Sequence, residues 1–316
     1  MDTIPEEFRT GGGDASGAGS PLVSVMMPCF NAAETLPMAL ASLLAQTHAR
    51  WEAVIVDDGS TDATWDVLRA VDDPRLRVER FPENRGRGAA RQRCLEMARG
   101  DFLSMLDSDD WLFPDKLAHQ VGILGANPAL AAVSGVCAIT DARDEVVGMT
   151  SAGLRPGDTL TVARFARLGP PPFSFPPAML RMSAIEGASF NPAFRRSQDS
   201  DFLIQAVLGE RYAVSDTPVY AYSQAAAASL ERTLEGYHYR VRSYLQYRRT
   251  QPVSVAVNVA KTLARAAVYR AAGAAGLEQR LIDRRWQPAT HAVHESFARA
   301  RAAVAPIAAT LGMRAA

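Results

Sequence analysis

Asp107, Ser108 and Asp109 form an Asp-x-Asp pattern directly behind an apolar run, Phe102–Leu106. Alternation along an extended chain turns both carboxylates to one side. Hard oxygen ligands of this kind suit magnesium or manganese rather than zinc or copper. Taken alone, the pair equally marks an acidic turn or a helix entry. Here Asp110 and Trp111 follow at once. A second acidic pair, Asp57-Asp58, ends another apolar run and leads into Gly59-Ser60. A carboxylate there can accept hydrogen bonds from a base or a ribose. Ser60, Thr61 and Asp62 also read as a helix-entry turn. Arg85-Gly86-Arg87-Gly88 opens a helical stretch that carries Arg91. Glycine permits close backbone approach, a helix start attracts phosphate, and arginine adds charge. The segment is neither Gly-x-Gly-x-x-Gly nor a Walker loop, so it indicates neither a dinucleotide enzyme nor a P-loop. Gln198-Asp199-Ser200-Asp201 precedes another helical stretch. Asp199 reads either as a helix cap or as a general base.

These groups need a frame. Strand-like runs at Leu22–Met27, Ala53–Val56, Leu76–Arg80 and Phe102–Leu106 alternate with helical runs at Thr35–Gln46, Asp62–Val71 and Gly88–Arg99; Pro114 opens a further helix. Continuous apolar strands alternating with helices predict an α/β fold with a mostly parallel sheet flanked by helices. Ligands of such sheets bind beyond the carboxyl ends of the strands. Both acidic clusters follow strands immediately and therefore fall on that edge. The second half is less regular. Ala131–Ile139, Ala178–Met182 and Val214–Tyr222 are strand-like, Asp201–Leu208 is helical, and Pro170–Pro177 reads as a stiff loop. After Leu230 the chain is helical in character. The division expected is a flexible leader over 1–20, a catalytic-type α/β domain over 21–229 and a mainly helical extension over 230–316.

The chain has 316 residues and a formal net charge of zero. A neutral total argues against a nucleic-acid partner. From Arg232 onward, however, fourteen Lys/Arg face four Asp/Glu. Such a tail fits peripheral contact with an acidic surface such as a membrane, or a solvated helix face. Val253–Leu277 is interrupted by Lys261, Arg265 and Arg270 and does not read as a membrane span. Cys29, Cys94 and Cys137 are widely spaced and contain no Cys-x-x-Cys, which fits a reducing, cytoplasmic setting; Cys94 and Cys137 read as core fillers. No apolar signal region is read at the N-terminus.

Five segments, in order, resemble the family 2 glycosyltransferases, which have the GT-A fold. They are VSVMMPCFNAAETL, EAVIVDDGSTDAT, ENRGRGAARQRCLEMARGDFLSMLDSDDW, FPDKLAHQV and RRSQDSDFLIQA, between Pro21 and Tyr222. The resemblance implies inverting transfer of a sugar from a nucleotide-diphospho-sugar to a saccharide or lipid-linked acceptor, with a divalent metal, Mn or Mg. It implies a nucleotide-sugar site built from Pro28, Phe30, Asn31, Glu34, Asp57, Asp58, Arg85, Gly86, Arg91, Asp107 and Ser108. In this reading Arg91 stands beside the pyrophosphate, Asp109 holds the metal and Asp199 is the catalytic base. Three departures from the family pattern are present. Gln198 replaces the first acid of Glu-Asp, Gln92 replaces Asn after Arg91, and Tyr220–Ser229 contains no histidine. Two alternatives follow: a sugar-nucleotide-binding scaffold with a degenerate site, and a nucleotidyltransferase. The latter is disfavoured by the loop Cys29–Glu34, which is neither glycine-rich nor basic.

Overall fold

The computed structural model describes residues 19–151, 153–155, 157–223, 229–278 and 286–315. Most of the expected leader therefore lies outside the described residues, as do positions 224–228 of the histidine-free stretch.

Four strands build the first half of the sheet: β1 (Val23–Cys29), β2 (Trp51–Asp57), β3 (Leu76–Arg80) and β4 (Phe102–Met105). They run in the order β3-β2-β1-β4, every pair parallel. The connecting helices are α1 (Leu36–Leu44), α2 (Thr64–Arg69) and α3 (Arg87–Met97). Every residue of β1 and β2 is buried. Their side chains alternate between two cores: Val23, Val25, Met27 and Ile55 on one face, Met26, Val54 and Val56 on the other. That alternation is why both strands read as unbroken apolar runs.

The second half contains β5 (Trp111–Leu112), α4 (Lys116–Ala126), β6 (Leu130–Thr140), β7 (Val146–Thr150), β8 (Leu160–Arg164), β9 (Met179–Arg181), α5 (Gln198–Val207) and β10 (Arg211–Ser223). The short β9 is antiparallel to both β4 and β6 and joins the halves. β6 and β10 pair in parallel, with register shifts around Pro218, a residue that cannot donate to the ladder. β5, β7 and β8 add antiparallel edges.

Three helices follow: α6 (Leu230–Leu245), α7 (Pro252–Ala274) and α8 (His291–Ala315). They go to opposite faces of the sheet. Tyr244 of α6 and Val255 of α7 enter the core that holds α3 and α5. Val293, Phe297, Ala300, Val304 and Leu311 of α8 enter the other core with α1. The Phe297 ring lies 5.1 Å from that of Trp111, which begins the strand behind the acidic cluster. The basic tail is thus partly core.

Candidate active site

The carboxyl ends of β1, β2 and β4 converge on one edge, and local bonds set each loop there. Asn31 takes a positive φ of 49° just past β1. Its N–H donates to Ser60 Oγ at 2.9 Å, and its Oδ1 accepts from the Thr61 N–H at 2.9 Å. The first and second loops are thereby locked together. Gly59 sits at φ +71°, and a Cβ there would meet the Glu83 carbonyl carbon at 2.5 Å, so no other residue fits that crossing. Asp57 is wholly buried; it accepts from the Ser60 N–H at 2.9 Å and pairs with Arg80 at 3.2 Å. Asp58 accepts the Arg85 N–H at 2.7 Å. Burial raises the Asp58 carboxyl above its ordinary range, against the pull of the Arg85 and Gly86 amides.

Past β4, the Asp107 N–H donates to Tyr220 Oη at 3.1 Å, and that hydroxyl donates to Asp110 Oδ2 at 2.8 Å. The Ser223 N–H meets the other Asp110 oxygen at 2.8 Å. Burial, reinforced by Asp107 and Asp109, pushes Asp110 well above the usual carboxylate range. Asp110 is therefore the buried post that ties β10 to the acidic loop. Arg91, 2 % exposed, lies between two loops. One Nη donates to Asp107 Oδ1 at 3.1 Å; the other donates to Asp199 Oδ1 and, at 3.3 Å, to Gln198 Oε1. Burial raises the Asp199 carboxyl, Arg91 opposes the rise, Asp107 adds to it, and the net direction is up.

α5, which carries Asp199, is tied to α6. The Ser197 hydroxyl donates to the Gly236 carbonyl at 2.9 Å, Gln246 donates to Asp201 at 2.9 Å, and Arg196 pairs with Glu235 at 3.2 Å. Asp201 is buried there, held by Gln205 and Gln246. Asp199 reaches across to Arg91 from the first turn of its helix.

Two cavities meet at this point. The larger, about 970 Å3, is lined by Pro28, Phe30, Asn31, Asp58, Gly86, Asp107, Ser108 and Asp109, with Arg87 and, from α6, Arg232, Tyr237 and Arg240. The smaller, about 460 Å3, holds Arg91, Asp199, Ser200 and the wall Pro170–Pro177. Arg87, Asp107, Tyr222 and Arg240 border both. The proline wall is anchored from beneath by Lys116, whose Nζ donates to Gln120 Oε1 at 3.0 Å and to the Pro176 and Ala178 carbonyls at 3.3 Å. Full burial brings the Lys116 ammonium down to about 7.

The profile of "Glycosyl transferase family 2" matches residues 24–187, more than half of the chain. The chain belongs to that family. Among curated relatives, the succinoglycan biosynthesis protein ExoO of Rhizobium meliloti is 35 % identical over 153 residues, 48 % of this chain and 42 % of that protein. The Escherichia coli enzyme WfgD, named UDP-Glc:alpha-D-GlcNAc-diphosphoundecaprenol beta-1,3-glucosyltransferase, is 36 % identical over 106 residues, 34 % of this chain and 42 % of that one. The matched stretches thus span less than half the length of these relatives. Among solved structures, the mannosyltransferase PcManGT of Pyrobaculum calidifontis, in complex with GDP-Man and Mn2+, has a TM-score of 0.53 at 21 % identity over 93 % of this chain and 87 % of that one. It shares the GT-A fold.

Within this family 2 chain, most of the expected site residues gather, in a division of labour the sequence did not reveal. Asp57 is buried under the turn and does not line the cavity. Glu34 is exposed and outside it. Arg85 contributes its backbone amide while its guanidinium lies 4.7 Å from the Phe81 ring centroid; Arg87, two residues on, faces both cavities. Arg91 borders the smaller cavity and not the larger. Gln198 keeps a bond to Arg91, so the loss of the family's first acid leaves Arg91 with two carboxylates and one amide. The α6 residues and Lys116 were not singled out. Arg232, Gly236 and Arg240 recur every four residues, a helical spacing that could have marked a shared face.

Among the described residues, no group of three or more His, Cys, Asp or Glu converges as a metal cage. The donor chemistry still fits a hard cation completed by phosphate oxygens and water. Asp109 opens onto the larger cavity, and desolvation together with the Asp107 charge raises its carboxyl. A cation would satisfy that charge.

Proposed function

We propose that the chain is an inverting glycosyltransferase of polysaccharide or cell-envelope synthesis, with a nucleotide-diphospho-sugar donor in the larger cavity and an acceptor hydroxyl in the smaller one. The observation that carries this reading is the junction. Arg91 joins Asp107, which borders the donor cavity, to Asp199, which borders only the other.

Asp199 takes the proton of the attacking hydroxyl, and burial, which raises its carboxyl, makes it a stronger base than an exposed aspartate. The new bond forms between the acceptor oxygen and the anomeric carbon as the bond from that carbon to the leaving phosphate oxygen breaks. One displacement from one face inverts the centre. Asp58 and Asn31 read the nucleoside, and Arg87 receives charge growing on the nucleoside diphosphate. Asp109, with Asp107 beside it, would hold manganese or magnesium, which neutralises that charge when bound. The nucleotide-sugar ligand of the structural neighbour and the lipid-linked acceptor in the name of WfgD support the two substrate classes. A lipid-linked acceptor would place the reaction at the inner face of the membrane.

Residues 21–229 would form the catalytic unit and 230–316 its helical extension, although α6 completes the cavity wall and α8 completes the core. A panel of UDP- and GDP-sugars, scored for released nucleoside diphosphate with and without manganese, tests the reading. No release from any donor, together with tight nucleotide-sugar binding, would favour the scaffold alternative.

A further inference from the structure

α7 is inverted in character. Its sheltered face carries the polar anchors: Asn258 Nδ2 donates to the Leu168 carbonyl at 2.9 Å, and Thr262 is buried. Gln251, just before the helix, accepts the Leu168 N–H at 3.0 Å. Val255 and Ala266 bury beside them, and Gly273 presses on Leu230 of α6. The solvent side is the apolar one. Val253, Val257, Ala260, Ala264, Val268 and Ala271 lie within an arc of about 80° at ~100° per residue. All six are exposed, Val253 at 75 % and Val268 at 56 %.

Bases border this stripe on both sides. Lys261 and Arg265 follow one edge; Arg270 follows the other beside Leu263, itself 56 % exposed. α7 contains no Asp or Glu, and Arg248 and Arg249 stand exposed just before it. Water does not select an outward apolar stripe, and a wholly solvated helix would carry polar residues there. No helix among the described residues is long and apolar enough to cross a membrane. A helix with an apolar stripe, basic edges and no acids suits the plane of an anionic bilayer: valines enter the acyl boundary, and Lys and Arg stems reach back to the phosphates.

We propose that α7 is an in-plane anchor for an anionic lipid surface. Both contacts of Leu168 fix its inner face to the segment that leads, two residues later, into the proline wall of the smaller cavity. Membrane docking therefore holds the proposed acceptor side in a set relation to the bilayer. That consequence rests on the transfer reaction proposed above; the anchoring does not.

The test is co-sedimentation of the full chain with vesicles of equimolar phosphatidylglycerol and phosphatidylcholine, against phosphatidylcholine alone, at low salt. The wild type is expected to pellet with the anionic vesicles. V257E combined with V268E should weaken binding by about tenfold or more, since burial of each valine is lost. K261E, R265E and R270E together should remove the preference for anionic lipid. Melting temperature and donor hydrolysis in solution should stay unchanged in both variants, which keeps folding and chemistry apart from docking. A wild type that ignores anionic vesicles overturns the proposal, as does a V257E/V268E variant that binds like wild type. If the wild type is instead a dimer in solution that V257E/V268E splits, with no vesicle binding, the stripe belongs to a second copy and the proposal fails. Vesicle binding without donor turnover would sink the transferase reading and leave the anchor standing.

Discussion

The buried guanidinium of Arg91 bonds the Asp199 carboxylate, 108 positions away in the chain, while its other amino group bonds Asp107 sixteen positions away. One cation therefore sets the distance between Asp107, which borders both cavities, and Asp199, which borders only the smaller. It also holds Asp199 below where burial and Asp107 would otherwise push it.

Replacing Arg91 by Gln should move the acidic limb of the activity profile upward. In the proposed role Asp199 accepts a proton only when ionised, so transfer should rise with pH through its pKa. Removing the nearer of two counter-charges, with Arg87 left in place, raises that pKa further, and the limb should shift upward by about 1–3 pH units. The initial rate at saturating donor, followed from mildly acidic to alkaline pH, reads the shift. An unmoved limb with merely lowered rates would mean that Arg91 acts on something other than Asp199.

Asp199→Asn should keep the shape and one acceptor for Arg91 but lose basicity. Transfer should fall by about 100-fold or more. Donor affinity by calorimetry should hold, and so should the melting temperature, because Asn keeps an oxygen for Arg91 and for a helix-start amide. Full transfer in the variant would pass the role to another group. Asp201 is a poor heir, since Gln205 and Gln246 occupy it in a buried site.

Asp109→Ala should abolish stimulation of turnover by manganese, with little change in stability at so open a position. Asp58→Asn keeps an acceptor for the Arg85 amide and should raise the donor KM by about tenfold, some 1.4 kcal/mol of nucleoside recognition. Titrating metal against both variants separates the roles. Wild-type activity that resists a chelator, with Asp109→Ala equally active, would end the metal assignment.

Phe297→Ala should destabilise the folded chain by about 3 kcal/mol, as expected for emptying a buried aromatic site. Phe297 is 6 % exposed and packs on both Trp111 and Phe113. Urea unfolding gives the number, while turnover per folded molecule should persist. A change within experimental error would show α8 to be a dispensable appendage.

The parallel α/β frame, the acidic strand ends and the family were legible in the sequence for local reasons. Buried parallel strands must be continuously apolar, the residues that follow them must lie on the ligand edge, and short motifs keep their order whatever the rest of the chain does. Asp107, Asp109, Asp58 and Asp199 could be named on those grounds. What each carboxylate touches was decided only in three dimensions. Asp57 and Asp58 are neighbours, yet one is sealed beneath a turn and the other faces the cavity, because the burial of a strand-end residue depends on the loops folded over it. Arg85, Arg87 and Arg91 look interchangeable in the chain; helix phase and the approach of α5 sent one over Phe81, one to the cavity and one between two carboxylates. The contribution of α6 to the site, the insertion of α8 into the core and the outward apolar stripe of α7 depend on which face each helix turns to the sheet. Composition shows that a helix has an apolar side, but only packing decides whether that side meets the core or is left outside.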